Sequence, residues 1–355
     1  MMLAGSVALP VAARVQPAPA GEGVDRARLL ASGEASLARR DAQAAMQEFE
    51  AAGLQQHAAD AELGMVRCFM QQGEYRRALA YAAHTAGAHR EEDEGAALYA
   101  WLLHAGGQEA IARRLLEQSL ARNGQHDLLN EVRRELARPW PVAQGALLAA
   151  PARLAPYSQP VRARVVCSGT LVRGGRAALV PASCLREGAR YWLRNGLGDL
   201  VAARPSGRLP YLGLAELLPL VPLPDAAPRL AARDPFPGSV AFAVEFAPHP
   251  AGLPAWPLLK AGFVGPALPQ EGLRALGVAM PAGSARGGPV FDRNGSLCGV
   301  ALNQGSSDRL LGVGRLRAWS GSGLDEQAAE GTPEASGSEA AYELGLRVAL
   351  QVLRG

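Results

Sequence analysis

Nucleophilic catalysis needs a hydroxyl or thiol beside a base that can take its proton, and a third group to orient that base. The second half of this chain is poor in groups that could make up such a site. In Gly283-Ser-Ala-Arg-Gly-Gly-Pro-Val-Phe-Asp-Arg-Asn-Gly-Ser-Leu-Cys-Gly-Val-Ala-Leu302 a Gly287-Gly288-Pro289 turn leads into an apolar run, and the residue just before it is Arg286. An arginine has no hydroxyl, stays protonated and cannot attack a carbonyl. From Val161 onward the one histidine is His249, and Pro248 and Pro250 put it in an irregular loop after the strand-like run Val240–Phe246. A histidine in such a loop is ordinarily a solvated surface residue. Lys260 is the one lysine of the chain, and nothing around it suggests a serine–lysine dyad.

The elements that would hold such a site are short and β-rich. Val165–Val172 and Ala177–Cys184 flank Arg173-Gly174-Gly175-Arg176 and read as a hairpin. Asp292–Gly295 reads as a turn, with Leu297–Leu302 and Leu310–Leu316 as further strands, and frequent Gly and Pro between apolar runs fit a barrel. An unrelated all-β domain would share that pattern. The motifs are more specific. Cys167-Ser-Gly-Thr-Leu171, Ala182-Ser-Cys184 and Gly287-Gly-Pro289, over roughly Arg162 to Ser320, together resemble a trypsin/chymotrypsin-like serine protease domain.

That resemblance implies a double β-barrel over 161–320 and assigns each catalytic position to a residue that cannot serve. The base would stand at Ser183 and the nucleophile at Arg286. The orienting carboxylate would stand at Gly213, or at Leu212 with a one-residue slip, in Tyr211–Pro219. Ser284 occupies the place of the glycine whose amide helps build the oxyanion hole, where a side chain restricts the backbone. The expectation is a pseudoprotease, with no catalytic residues and no metal or cofactor. Its vestigial cleft would hold a peptide by strand addition. Arg286 would either pair with a ligand carboxylate, such as a chain terminus, or simply point to solvent or pair internally. The competing expectation is an active serine endopeptidase with a displaced triad. The resemblance also implies a Cys167–Cys184 disulfide, with Cys68 and Cys298 as buried thiols; four cysteines otherwise allow three full pairings. Closing that loop would add roughly 3 kcal/mol on the chain-entropy model.

The first half is a different object. From Val24 to Leu136 the chain is rich in Ala, Leu, Glu and Arg, nearly free of proline, and apolar at helical spacing. Arg40-Asp-Ala-Gln-Ala-Ala45-Met, Gly73-Glu-Tyr-Arg-Arg-Ala78-Leu and Gly107-Gln-Glu-Ala-Ile-Ala112-Arg recur at spacings of 33 and 34 residues. Period and form resemble tetratricopeptide repeats, and Gly33, Ala45, Phe49 and Ala52 fit the alternation of small and large residues. A generic bundle of Ala-rich helices is the plainer alternative. Such repeats imply a protein or peptide partner. Net charge is only +3, both signs are interspersed, and no basic patch is interleaved with aromatics, so nucleic acid is not expected.

The organisation expected is therefore an α+β multidomain chain. Residues 1–23 form a leader or disordered N-terminus, 24–138 the helical repeats, and 139–160 a Pro/Ala-rich linker. The double barrel occupies 161–320, a flexible low-complexity linker 321–338, and a C-terminal helix 339–355. In that last segment Tyr342 to Val352 also alternates like a strand, whereas Ser336-x-x-Glu339 suggests a capping box. The first twenty residues have an apolar run but no basic n-region, and no run is long enough for a membrane helix. A structural disulfide would place the chain in the periplasm or outside the cell; a cytosolic chain would keep two small hydrophobic thiols.

Overall fold

A computed structural model describes residues 20–39, 41–105, 108–124, 127–137, 163–197, 199–223, 228–246, 257–269, 272–278, 286–304, 307–320 and 337–355. The expected linker 139–160 lies outside these residues, as do all of the expected leader but 20–23 and all of the expected second linker but 337–338.

Seven helices come first: α1 (Ala20–Ala38), α2 (Ala42–Gln55), α3 (Ala59–Gln72), α4 (Tyr75–Ala88), α5 (Asp93–Ala105), α6 (Glu109–Asn123) and α7 (Asp127–Leu136). Each packs on the next, and α1/α3, α3/α5 and α5/α7 also touch, so the odd-numbered helices form one continuous layer. The small/large alternation explains the close approach. Phe49 of α2 is fully buried, and a Cβ at Gly33 of α1 or Gly64 of α3 would stand 2.8 or 2.4 Å from its ring. Ala45, Ala52, Ala78 and Ala112, at the repeated small positions, are also fully buried. Between α3 and α4 the chain turns through Gly73 in the left-handed region (φ 77°), whose amide returns to the carbonyl of Met70.

The β half comprises β1 (Arg164–Val172), β2 (Ala177–Pro181), β3 (Tyr191–Asn195), β4 (Leu200–Leu209), β5 (Leu214–Pro219), β6 (Val240–Glu245), β7 (Leu258–Ala267), β8 (Leu273–Gly277), β9 (Pro289–Phe291), β10 (Leu297–Gln304) and β11 (Ser307–Gly312). Helices α8 (Val313–Ser320) and α9 (Ser338–Val348) follow, then β12 (Ala349–Arg354). The expected hairpin is present: β1 pairs with β2 in the register Thr170↔Leu179, Leu171↔Ala178 and Val172↔Ala177, across a turn with positive φ at Gly174 and Gly175.

The strands close into two six-membered antiparallel barrels, β1-β12-β3-β4-β5-β2 and β10-β11-β8-β7-β6-β9. The second ring runs β6-β7-β8-β11-β10-β9. Read from its last strand, the first runs β12-β1-β2-β5-β4-β3, which is the same circuit with the chain's C-terminal strand standing first. The first barrel is thus completed by residues that follow the second in sequence. The reading of 339–355 as one helix is corrected here: the helix stops at Val348, and the alternation of Leu350, Val352 and Arg354 belongs to a strand between β1 and β3. Tertiary pairing on both edges wins over local helix periodicity. One apolar core runs through both barrels and takes in Ala341 and Val348 of α9. Among the described residues, no helix is long and apolar enough to cross a membrane.

Leu350, Val352 and Leu353 are fully buried. At about 1.5–3 kcal/mol each, their loss would cost about 5–9 kcal/mol, comparable with the whole stability of a typical domain. Truncation after Val348 is therefore expected to abolish the cooperative unfolding of the barrels, which thermal melts and limited proteolysis of full-length and truncated chains would check. A truncated chain that melts like the full one would refute this role for β12.

Candidate functional site

The two barrels meet along β1 and the segment 286–288. The Thr170 hydroxyl donates to the carbonyl of Gly287 (2.9 Å), and the amide of Phe246 donates to Ser168 Oγ (2.8 Å); Ser168 and Thr170 are fully buried. At Gly287, where φ is 131°, a Cβ would stand 2.3 Å from the Ser168 carbonyl oxygen and 2.5 Å from Pro181 Cδ. At Gly288 it would meet Glu245 Cγ at 2.4 Å. The glycine pair is there because two barrels close on it from opposite sides.

Beside this junction lies a cleft of about 470 Å³ between the barrels. Ser183, in the 3₁₀ turn Ala182–Cys184 after β2, lines it. So does Gly213, left-handed at the end of the turn Pro210–Leu212 before β5. The amide of Ala182 donates to the carbonyl of Gly213 (3.0 Å), so the positions of the expected base and orienting acid are adjacent in space. The opposite wall includes Leu273, Leu302, Asn303, Arg309 and Arg315. Among the described residues, the lining has two arginines and no histidine or carboxylate.

Arg286 does not line this cleft. Its side chain is turned into the second barrel and is 1% exposed. Nε and Nη2 donate to Glu245 Oε2 (2.9 and 2.7 Å), while Nη1 donates to the carbonyl of Val278 (2.9 Å) and lies 2.9 Å from Asp308 Oδ2. Glu245 is equally buried, and its Oε1 accepts the amide of Gly288 (3.2 Å). Burial pushes the Glu245 carboxyl above its ordinary range, while Arg286 and the amides of Gly288 and Gly287 pull the other way. The guanidinium of Arg286 is engaged within the chain itself, by Glu245, Asp308 and the carbonyl of Val278, in line with the internal pairing that was one of the readings for it. Sequence reading named neither Glu245 nor Asp308. The available signal was a single carboxylate in the apolar run Val240-Ala-Phe-Ala-Val-Glu-Phe246, a charge that burial would force to find a partner.

The remaining expected site residues fall as follows. Cys167 and Cys184 lie close together as buried thiols, with Cys184 Sγ 3.9 Å from the carbonyl of Val166. A hydrogen bond from Cys167 holds the Cys184 thiol below its ordinary range, whereas burial pushes Cys167 well above. Cys68 and Cys298 are buried thiols, each pushed by burial to about 12. Ser284 and His249 lie outside the described residues.

No family model matches the sequence, and no curated protein matches it. Among solved structures, a serine endoprotease from Yersinia pestis is similar at 17% identity with a TM-score of 0.38. That match takes in 48% of this chain and 61% of that one, less than two thirds of its length. The double-barrel assignment rests on the strand circuit itself.

Removing one partner of a buried ion pair leaves the other charge uncompensated, at a cost of about 3–5 kcal/mol. Arg286→Ala should destabilise the barrels by that amount in urea unfolding. Replacing the pair together, Arg286→Met with Glu245→Leu, should recover most of the loss, because apolar residues of similar size often substitute for buried ion pairs without penalty.

Proposed function

We propose that this chain is a non-cleaving member of the double-barrel serine endopeptidase type that binds proteins or peptides as a scaffold outside the bacterial cytoplasm. The observation that carries this reading is the place of Arg286. A nucleophile must face a cleft within reach of a base. The residue at that position instead faces the barrel interior, bound to Glu245. Ser183, the hydroxyl nearest to the expected centre, has no imidazole beside it, since the described barrel residues contain no histidine.

What remains is a concave surface with hydroxyls from Ser183 and Tyr211, an apolar floor from Leu273 and Leu311, and two arginines on one wall. Closed rings leave no strand edge along their length, so side chains of the cleft, rather than an added strand, would hold a peptide. The helical half reads as tetratricopeptide-like repeats whose odd-numbered helices face a second partner. The groove of about 460 Å³ on that side carries Glu34, Asp60, Glu92 and Glu94 with Arg67, which favours a segment of basic character. A periplasmic or secreted location accords with the adjacent Cys167 and Cys184, which an oxidising compartment would join.

The test is activity-based labelling with a fluorophosphonate probe, alongside incubation with unfolded casein. No labelling and no cleavage are expected from the folded protein, and Arg286→Ser alone should create neither, because no base is supplied. Labelling of a specific serine together with casein cleavage by the wild-type chain would overturn the proposal.

A further inference from the structure

Three of the six histidines converge on one buried carboxylate in the helical half. Glu62, in the first turns of α3, has a side chain only 5% exposed. His57 Nε2 stands 2.8 Å from its Oε1, His84 Nε2 3.6 Å from Oε1, and His89 Nε2 3.6 Å from Oε2. His57 comes from the loop before α3, His84 from the last turns of α4, and His89 caps that helix. The antiparallel α3/α4 pair brings the start of one helix to the end of the other, so residues up to 32 positions apart in sequence share one point. The rings of His57 and His89 lie 5.1 Å apart, tilted by 33°.

A buried carboxylate normally has an arginine or several hydrogen bonds. The nearby acids follow that rule: Asp60 takes Arg26, Glu34 takes Arg67, and Glu48 takes the hydroxyls of Ser32 and Ser36. Glu62 takes only imidazoles, although the chain has arginine to spare. Its Oε2 and the Nε2 of His89 are buried with no hydrogen-bond partner. The hydroxyl of the neighbouring Tyr81 is directed at Met65 Sδ instead.

We propose that Glu62, His57 and His89 hold a divalent transition-metal ion of the zinc class, with His84 at the fourth position. Imidazole nitrogens and a carboxylate oxygen are the donors such ions prefer. The ligand atoms of His57, Glu62 and His89 all lie within 4.8 Å of one another. Metal–ligand bonds of about 2.0–2.1 Å in a tetrahedron put donors roughly 3.3 Å apart. His84 stands 3.6 Å from Oε1 and His89 3.6 Å from Oε2, each near that value to its own carboxylate oxygen, and the 2.8 Å separation of His57 from Oε1 needs to open by about half an ångström. A bound dication would neutralise the carboxylate and clamp the loop before α3 to the end of α4. Four protein donors would make the site structural rather than catalytic. Sequence reading expected no metal: His57/Glu62 and His84/His89 match no short-range ligand motif, and only the helix pairing brings them together.

The experiment is titration of the untagged, metal-stripped full chain with Co²⁺, read by the d–d absorption of tetrahedral cobalt, then displacement by Zn²⁺ and counting of bound zinc by mass spectrometry. One equivalent is expected, with a melting temperature that rises with zinc. His57→Ala and His89→Ala should each weaken binding by more than the ~10–100-fold that loss of an outer-shell partner costs, and His84→Ala should alter the cobalt spectrum. His104→Ala, outside the cluster, should bind as wild type. The side chain of His57 is 65% exposed, so His57→Ala tests the site without opening the core. Absence of stoichiometric binding by the wild-type chain, or equal binding by the His57→Ala and His89→Ala variants, would overturn the proposal.

Discussion

Closure of the first barrel by β12 is the constraint on which the other features depend. A β-strand with an unpaired edge exposes a row of amide and carbonyl groups, and a buried one cannot leave them unsatisfied. Both β1 and β3 are apolar on their inward faces, and β12 pairs with each of them: Cys167↔Val352 on one side, Leu353↔Trp192 on the other. Until the last residues are in place the ring is open, and β1 carries the hydroxyls that bond the second barrel. The fold is therefore non-local in an extreme form, since the first barrel cannot be finished before the second has been made.

Given that closure, the junction between barrels becomes a crowded, dry place, and the chemistry of residue 286 follows. In an open cleft a side chain before Gly-Gly-Pro faces solvent and ligand. Here Glu245 enters the same space from β6, and an unpaired carboxylate at that depth would cost several kcal/mol. Arg286 resolves this with two nitrogens on one oxygen, while Gly288 supplies an amide to the other. Asp308 engages the remaining arm. With Arg286 and Glu245 filling this space, the open cleft lies to one side, against Ser183 and Gly213.

Much of this was legible in the residues, and the reasons for the rest are physical. The period of 33–34 and the positions of Gly33, Ala45 and Phe49 specified helix approach directly, because close packing restricts size at each position. The β1–β2 hairpin followed from two apolar runs around Gly174 and Gly175, and the nearness of Cys167 and Cys184 from the family resemblance, while the 3₁₀ turn that ends β2 at Pro181 was read as more strand. The strand at 349–354 was hidden because Tyr342, Leu346 and Leu350 satisfy helical spacing equally well, and only partners more than 150 residues away decide between the two. The direction of Arg286 was hidden for a similar reason: its carboxylates lie 41 and 22 residues away on other strands. Local rules do not report which face of a turn a long side chain will choose.

The same C-terminal segment also decides how the two halves of the molecule relate. α9 packs against β6, where Gly345 leaves room for Val244, next to Glu245. Its outer side meets the helical half: the amide, Nε and Nη2 of Arg76 all reach the carboxylate of Glu343 (2.8, 3.1 and 2.9 Å). With Arg76 44% exposed, that ion pair is worth at most about 1 kcal/mol, so it sets orientation more than strength. The firmer contact is apolar, where Gly73 comes against Leu197 and the stem of Arg347. Gly73 is the residue that ends α3, and α3 carries one wall of the acidic groove. A partner that shifts α3 would thus press on the segment that closes the first barrel. Among the described residues, the helical half and the barrels meet at α9 and Leu197, so the helix that leads into β12 links the two candidate binding surfaces.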